Sequence, residues 1–182
     1  MLMFLGFIIL CLVFVSILAY FLFVLDGFLG GLDFTSNRLT VEKVMDIIKR
    51  RHLENGNFYD LGSARGAFAA KIAKGLPGFR VYGIDDSRLR IFCSKARSIF
   101  LHNLKFIKQD IFTANISDAD VVYLYLPQKL MPALQVKLQK ELKRGSLVIS
   151  TSVSFPSWQP TEVYDLNQKG LIVPKLFVYQ KV

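Results

Sequence analysis

No charged side chain occurs in residues 1–25, "MLMFLGFIILCLVFVSILAYFLFVL", and the first acid is Asp26. This run constrains the fold more than any other stretch, because a helix that is apolar on every face cannot lie against water. Crossing about 30 Å of hydrocarbon takes roughly 20 apolar residues, and the run is long enough. A cleaved signal peptide would open with basic residues, carry a shorter apolar core and end at a small-x-small site, none of which is present. The expectation is a retained transmembrane helix over residues 1–25, a Gly-rich linker over 26–37 that includes "DGFLGGLDF", and one domain over 38–182. The overall hydrophobic content of 52% over 182 residues is too high for an ordinary soluble domain and agrees with this division.

All 23 Lys and Arg residues lie beyond the run, from Arg38 onward. That asymmetry predicts a single-pass membrane protein with its domain on the cytoplasmic side, Lys49, Arg50 and Arg51 acting as positive-inside residues. The net charge of +9 suits anionic lipid, nucleic acid or plain solubility. With an anchor attached, the lipid surface is the expected neighbour, and nucleic acid is not an expected partner. Cys11 and Cys93 imply no disulfide framework. Nothing in the sequence bears on oligomeric state.

Residues 38–182 alternate helix-like and strand-like segments. Thr40 to Arg51 has helical periodicity, with Val41, Val44, Met45 and Ile48 on one face. "NFYDLG", "FRVYGID", "LKFIKQDI", "ADVVYLYLP" and "SLVISTSV" read as strands; "GAFAAKIAKGL", Arg88 to Leu101 and "MPALQVKLQKELKRG" read as helices. The tail segments "TEVYDL" and "KLFVYQKV" can add an antiparallel pair. The alternation predicts an α/β fold with a doubly wound, Rossmann-like sheet whose ligands sit at the carboxyl ends of the strands.

The stretch "FYDLGSARGAF" falls between the first strand and its following helix. Gly62 and Gly66 allow a tight turn and close approach of a ligand to the main chain, and the helix beyond offers unpaired N–H groups. A dinucleotide fold would use similar glycines. Asp60 argues otherwise, since a pyrophosphate would meet a like charge there, whereas a ligand with an amino group would gain a partner. Asp85 ends the second strand, where a carboxylate can hold a ribose diol, and Asp110 ends the third. A cationic sulfonium carrying an ammonium, a ribose and an adenine suits three such acids, which points to S-adenosylmethionine. Each aspartate taken singly could instead cap the following turn.

Through "DLGSARG", "GIDDS" and "QDI" the chain resembles the class I S-adenosylmethionine-dependent methyltransferases. "VVYLYLPQKLMPALQVKLQKELKRGSLVIS" and "FPSWQP" narrow the resemblance to the small lysine methyltransferases of the ATP synthase c subunit and the adenine nucleotide translocase, with their prokaryotic relatives. The resemblance covers residues 35–182. It implies a methyltransferase sheet, S-adenosylmethionine as cofactor, and a protein lysine as acceptor, in a membrane-embedded substrate for some members. It also assigns Asp60, Gly62, Ser63, Ala64, Gly66, Asp85, Asp86, Asp110 and Ile111 to cofactor binding. Two departures stand out. Ala64 and Arg65 replace a glycine and an acid of the family's D-x-G-S-G-D-G, and an alanine keeps the turn intact provided that it holds a negative φ. "FTSNRLT" replaces a Pro-Thr-Pro segment, with Thr35 or Ser36 as substitute hydroxyls.

Other methyltransferases place an Asn/Asp-Pro-Pro-Tyr loop after the fourth strand to orient a target nitrogen. By that resemblance Tyr125, the Leu126 carbonyl and the stiffening Pro127 are the candidate catalytic residues here. Trp158, the only tryptophan, either walls the lysine channel by cation–π contact or packs in the core. His52 and His102 have no partner at ligand spacing, so no metal site is expected. Lys137, Lys140, Lys143 and Arg144 read as a solvated or lipid-facing helix surface. A small-molecule or lipid methyltransferase, and a binding module that has lost catalysis, are the alternatives.

Overall fold

The computed structural model describes residues 2–29, 38–166 and 175–182. The chain forms two compact units, Met1–Asp33 and Phe34–Val182. The first holds helix α1 (Leu2–Leu29). Its segment Phe4–Val24 is long and apolar enough to cross a membrane, and each side chain along it is exposed. The hydroxyl of Ser16 donates to the Leu12 carbonyl at 2.8 Å, which satisfies it within the helix.

The second unit runs α2 (Arg38–Arg50), β1 (Gly56–Leu61), α3 (Ala67–Gly75), β2 (Phe79–Asp85), α4 (Arg88–Ser98) and β3 (Leu104–Lys108). It continues through β4 (Val121–Leu124), a 3₁₀ turn at Gln128–Leu130, α5 (Met131–Glu141), β5 (Leu147–Thr151), β6 (Glu162–Asp165) and β7 (Lys175–Gln180). The sheet has seven strands in the order β3-β2-β1-β4-β5-β7-β6. β1 to β5 pair in parallel, while β7 is antiparallel to both β5 and β6. The expected Rossmann-like sheet and its antiparallel tail are therefore present. Strand order reverses between β1 and β4, which opens a crevice at their carboxyl ends.

Alternate strand residues serve opposite layers, as the pleat requires. Phe58, Val121 and Tyr123 pack with Val44, Ile48 and Ile72 from α2 and α3. Tyr59, Val122 and Leu124 pack with Met131, Leu134 and Leu138 from α5. Because both faces are covered, the central strands read as continuous apolar runs.

Several cations are engaged by partners within the fold, and one of them departs from its sequence-based assignment. Lys137 is not on a solvated face. It is buried, and its ammonium donates to the Ala114 carbonyl at 2.6 Å and to both Glu141 carboxylate oxygens at 2.8 and 2.6 Å. Lys143 pairs with Asp120 at 2.6 Å. Arg50 donates to the Tyr164 hydroxyl at 2.8 Å, and Arg51 bonds Glu162 and Gln180, so both arginines tie α2 to the β6–β7 pair. Thr35 and Ser36 lie outside the described residues.

Removing the Lys137 ammonium would strand a carbonyl and a carboxylate together. Lys137→Ala is expected to cost about 1–3 kcal/mol, against roughly 0.5 kcal/mol or less for Lys140→Ala, read from urea unfolding in detergent.

Candidate cofactor site

The turn between β1 and α3 is stitched to the end of β2. Gly62 N–H and Ser63 N–H both donate to the Ile84 carbonyl, at 2.8 and 2.9 Å, and Ala64 N–H donates to Asp85 Oδ2 at 2.9 Å. Gly66 N–H then closes the turn on the Ser63 carbonyl at 2.8 Å. Gly66 has φ 75°, and a Cβ there would overlap the Phe106 ring, so glycine is required. A Cβ at Gly62 would lie 2.6 Å from Leu126 Cδ2, which places the loop after β4 directly against the turn.

Ala64 has φ 47°, in the left-handed region. The condition under which alanine would replace the family's glycine without strain is not met. The strain is of the order of 1 kcal/mol, and the bond to Asp85 holds the residue there. Arg65 is half-buried, and its carbonyl accepts from Arg97 Nε at 2.8 Å.

Asp60 is buried at the amino end of α3, where the Ala69 N–H donates to its carboxylate while Oδ2 has no hydrogen-bond partner. Burial, followed by the nearby Asp85 charge, pushes its pKa up to about 8. Ser63 Oγ is also buried and unpartnered. These two orphaned atoms beside the turn are what a polar ligand would satisfy. Asp85 is buried as well. Its oxygens accept from Ala64 N–H and from Ser87 N–H at 3.0 Å, and burial still raises its pKa against those bonds.

The guanidinium of Arg90 approaches Asp85 Oδ2 at 3.9 Å. Sequence reading missed Arg90, since an arginine in a basic helix looks solvated; its one signal was the three-residue spacing from Ser87, whose side chain accepts from Arg90 N–H and caps α4. Asp86 is exposed. Asp110 does not end β3 but lies two residues beyond it, exposed, with Oδ1 accepting from Phe112 N–H at 2.8 Å. Its carboxylate thus shapes its own turn, as an aspartate commonly does. Ile111 is half-buried against the α5-side core.

Tyr125 is half-buried at the end of β4 and packs on the α2–α3 side, whereas Pro127 is exposed with φ −58°. Trp158 is half-buried in an aromatic group, 5.5 Å from Phe155 and 5.2 Å from Tyr179 between ring centres. Among the described residues, no three His, Cys, Asp or Glu side chains gather as metal ligands would.

Residues 60–162 match the family described as the ANTKMT methyltransferase domain. The chain belongs to that methyltransferase family. A protein-lysine N-methyltransferase of Saccharolobus islandicus is 31% identical over 116 residues, covering 62% of this chain and 72% of that one. The lysine N-methyltransferase of the ATP synthase c subunit from Xenopus laevis is 27% identical over 146 residues, covering 79% of this chain and 64% of that protein, so the chain spans somewhat under two thirds of that relative's length. Among solved structures, an RNA methyltransferase from Salinibacter ruber in complex with S-adenosyl-L-homocysteine aligns with TM-score 0.69 and 25% identity, over 80% of this chain and 92% of that one. Within the family pattern, this chain keeps the acid and the outer glycines and strains the middle of the turn.

Two stability measurements check this geometry. Ala64→Gly is expected to raise stability by up to about 1 kcal/mol, some 2–4 °C in melting temperature. Between about pH 4 and 8 the folded domain keeps an Asp60 proton that the unfolded chain has released, so stability falls as pH rises across that window and levels off above it. The limiting slope is roughly 1.4 kcal/mol per pH unit. Asp60→Asn is expected to flatten that slope and to be the more stable protein at pH 8, in melts recorded across the window.

Proposed function

We propose that this chain is a membrane-anchored methyltransferase that uses S-adenosylmethionine to methylate a lysine side chain of a protein. The observation that carries the cofactor half is the buried Asp60 oxygen without a partner beside the glycine turn that follows β1. An uncompensated buried carboxyl is costly in the free protein, and a cationic ligand relieves it. The lysine half rests on the Saccharolobus and Xenopus relatives, both named as lysine methyltransferases.

In this reading Asp60 and Ser63 hold the amino-acid end of the cofactor, Gly62, Ala64 and Gly66 let it approach the main chain, and Asp85 with Asp86 holds the ribose. Asp110 and Ile111 border the adenine. When bound, S-adenosylmethionine supplies an already activated methyl group, so acid–base machinery is a small part of the task. The chain's own work is to align and desolvate the acceptor. Tyr125 and the Leu126 carbonyl orient the lysine nitrogen, and Pro127 stiffens their loop. Burial beside Tyr125 favours the neutral amine, because desolvation lowers a lysine pKa. Trp158 lines the approach from the far side of the sheet edge. The apolar run Phe4–Val24 retains the enzyme in a membrane with its domain in the cytoplasm, near membrane proteins as substrates.

Cofactor affinity then depends on pH. Since free Asp60 titrates near pH 8 and a cationic ligand favours its carboxylate, binding releases a proton. Affinity is expected to rise from about pH 6 to 8, by at most tenfold per unit, and to level off above. Asp60→Asn should bind roughly 10- to 100-fold more weakly with no such rise, as titration calorimetry would read.

The acceptor is tested by supplying isotope-labelled S-adenosylmethionine to membranes with the full chain, followed by mass spectrometry. Methyl increments on lysines of membrane proteins, retained with wild type and lost with Asp85→Ala, are expected. Label found only in lipid would replace this reading with a lipid methyltransferase. Resistance of the chain to alkaline carbonate extraction checks the anchor.

A further inference from the structure

Helix α4 contributes Ile91 and Ser94 to the core and turns a second apolar stripe outward. Phe92, Ala96, Ile99 and Phe100 recur at helical spacing, and Ile99 keeps helical backbone at φ −53°, ψ −38°. Phe92, Ile99 and Phe100 are 75%, 65% and 88% exposed, so the stripe has no cover from its own domain. From Ser87 to Gln109 the chain has no acid. Exposed Arg88, Lys95 and Arg97 on α4 border the stripe with positive charge, and Lys108, at the end of the neighbouring edge strand β3, lies on the same side of the sheet.

We infer that this face docks on a bilayer containing anionic phospholipid, with Phe92, Ile99 and Phe100 entering the headgroup–acyl boundary and the flanking cations meeting phosphates. An apolar stripe bordered by Lys and Arg is the pattern of an interfacial helix. Aliphatic Ile99 and Ala96 within it give a nucleic-acid base nothing to stack on, which favours lipid over RNA. Rim charge alone would serve either polyanion. The inference leans on the anchor proposed above for proximity: residues 25–37 join the candidate span to the domain, and even fully extended they reach no more than roughly 45 Å. Docking would also bear on the cofactor turn, because Arg97 on α4 donates to the Arg65 carbonyl.

The test uses the full chain reconstituted in phosphatidylcholine vesicles with or without phosphatidylglycerol. In a Cys11→Ser, Cys93→Ser background, a spin label is attached through Phe100→Cys, with Lys140→Cys on α5 as the reference position. In phosphatidylglycerol vesicles the label at 100 is expected to collide with oxygen rather than with a water-soluble nickel chelate, and the label at 140 to do the reverse. Phe92→Ser with Ile99→Ser, both at exposed positions, should return the label at 100 to water, as should raised salt or vesicles lacking phosphatidylglycerol. A label at 100 that meets the nickel chelate in phosphatidylglycerol vesicles overturns the inference, and so does one shielded only on addition of RNA. Carbonate extraction of the same samples separates the two claims: a chain stripped from the membrane refutes the anchor, while flotation with the same vesicles still probes this surface.

Discussion

The turn after β1 depends on three hydrogen bonds to the end of β2. The Ile84 carbonyl takes two N–H groups, from Gly62 and Ser63, and the Asp85 carboxylate takes the third, from Ala64. Neither strand could present the turn alone. β1 ends under cover of both layers, and its last buried acid, Asp60, faces the amino end of α3 with one oxygen unpaired. The bond from Ala64 to Asp85 holds an L-residue in a backbone region it rarely visits. Strain of that kind persists only where the surroundings over-determine it, and here they do so at the candidate site.

Topology explains why the acids meet where they do. With β4 beside β1 and β2 on its other side, the crevice at the strand ends collects the β1 turn, the Asp85 end of β2 and the Tyr125–Leu126 loop after β4. The side chain of Leu126 lies against Gly62, so the loop after β4 and the turn after β1 meet. The α2 charges complete the other end of the sheet. Arg50 and Arg51, engaged with Tyr164, Gln180 and Glu162, brace the antiparallel pair that extends beyond β5.

The sheet was readable from sequence because its central strands are buried on both faces and so appear as apolar runs closed by Gly or Asp. Asp85 was placed correctly at a strand end for that reason. Asp110 was not, since the run "FIKQDI" carries no mark separating the strand from the turn that Asp110 itself builds. Long cations misled most. Lys137 and Arg90 look like solvated residues in a one-dimensional pattern, yet Lys137 is buried with a carbonyl and a carboxylate as partners, and Arg90 is buried close to the Asp85 carboxylate. The backbone of Ala64 was unreadable too. Its φ is set by Asp85, 21 residues away in sequence.

The central claim is that the β1–α3 turn is the cofactor seat. Amide hydrogen exchange of the full chain in detergent, with and without S-adenosylmethionine, tests it most directly. The account predicts slowed exchange at Gly62 to Gly66 and in the first turn of α3, with smaller changes at Ser87. Unchanged exchange across that turn at saturating cofactor, or protection confined to the β6–β7 pair, would contradict it.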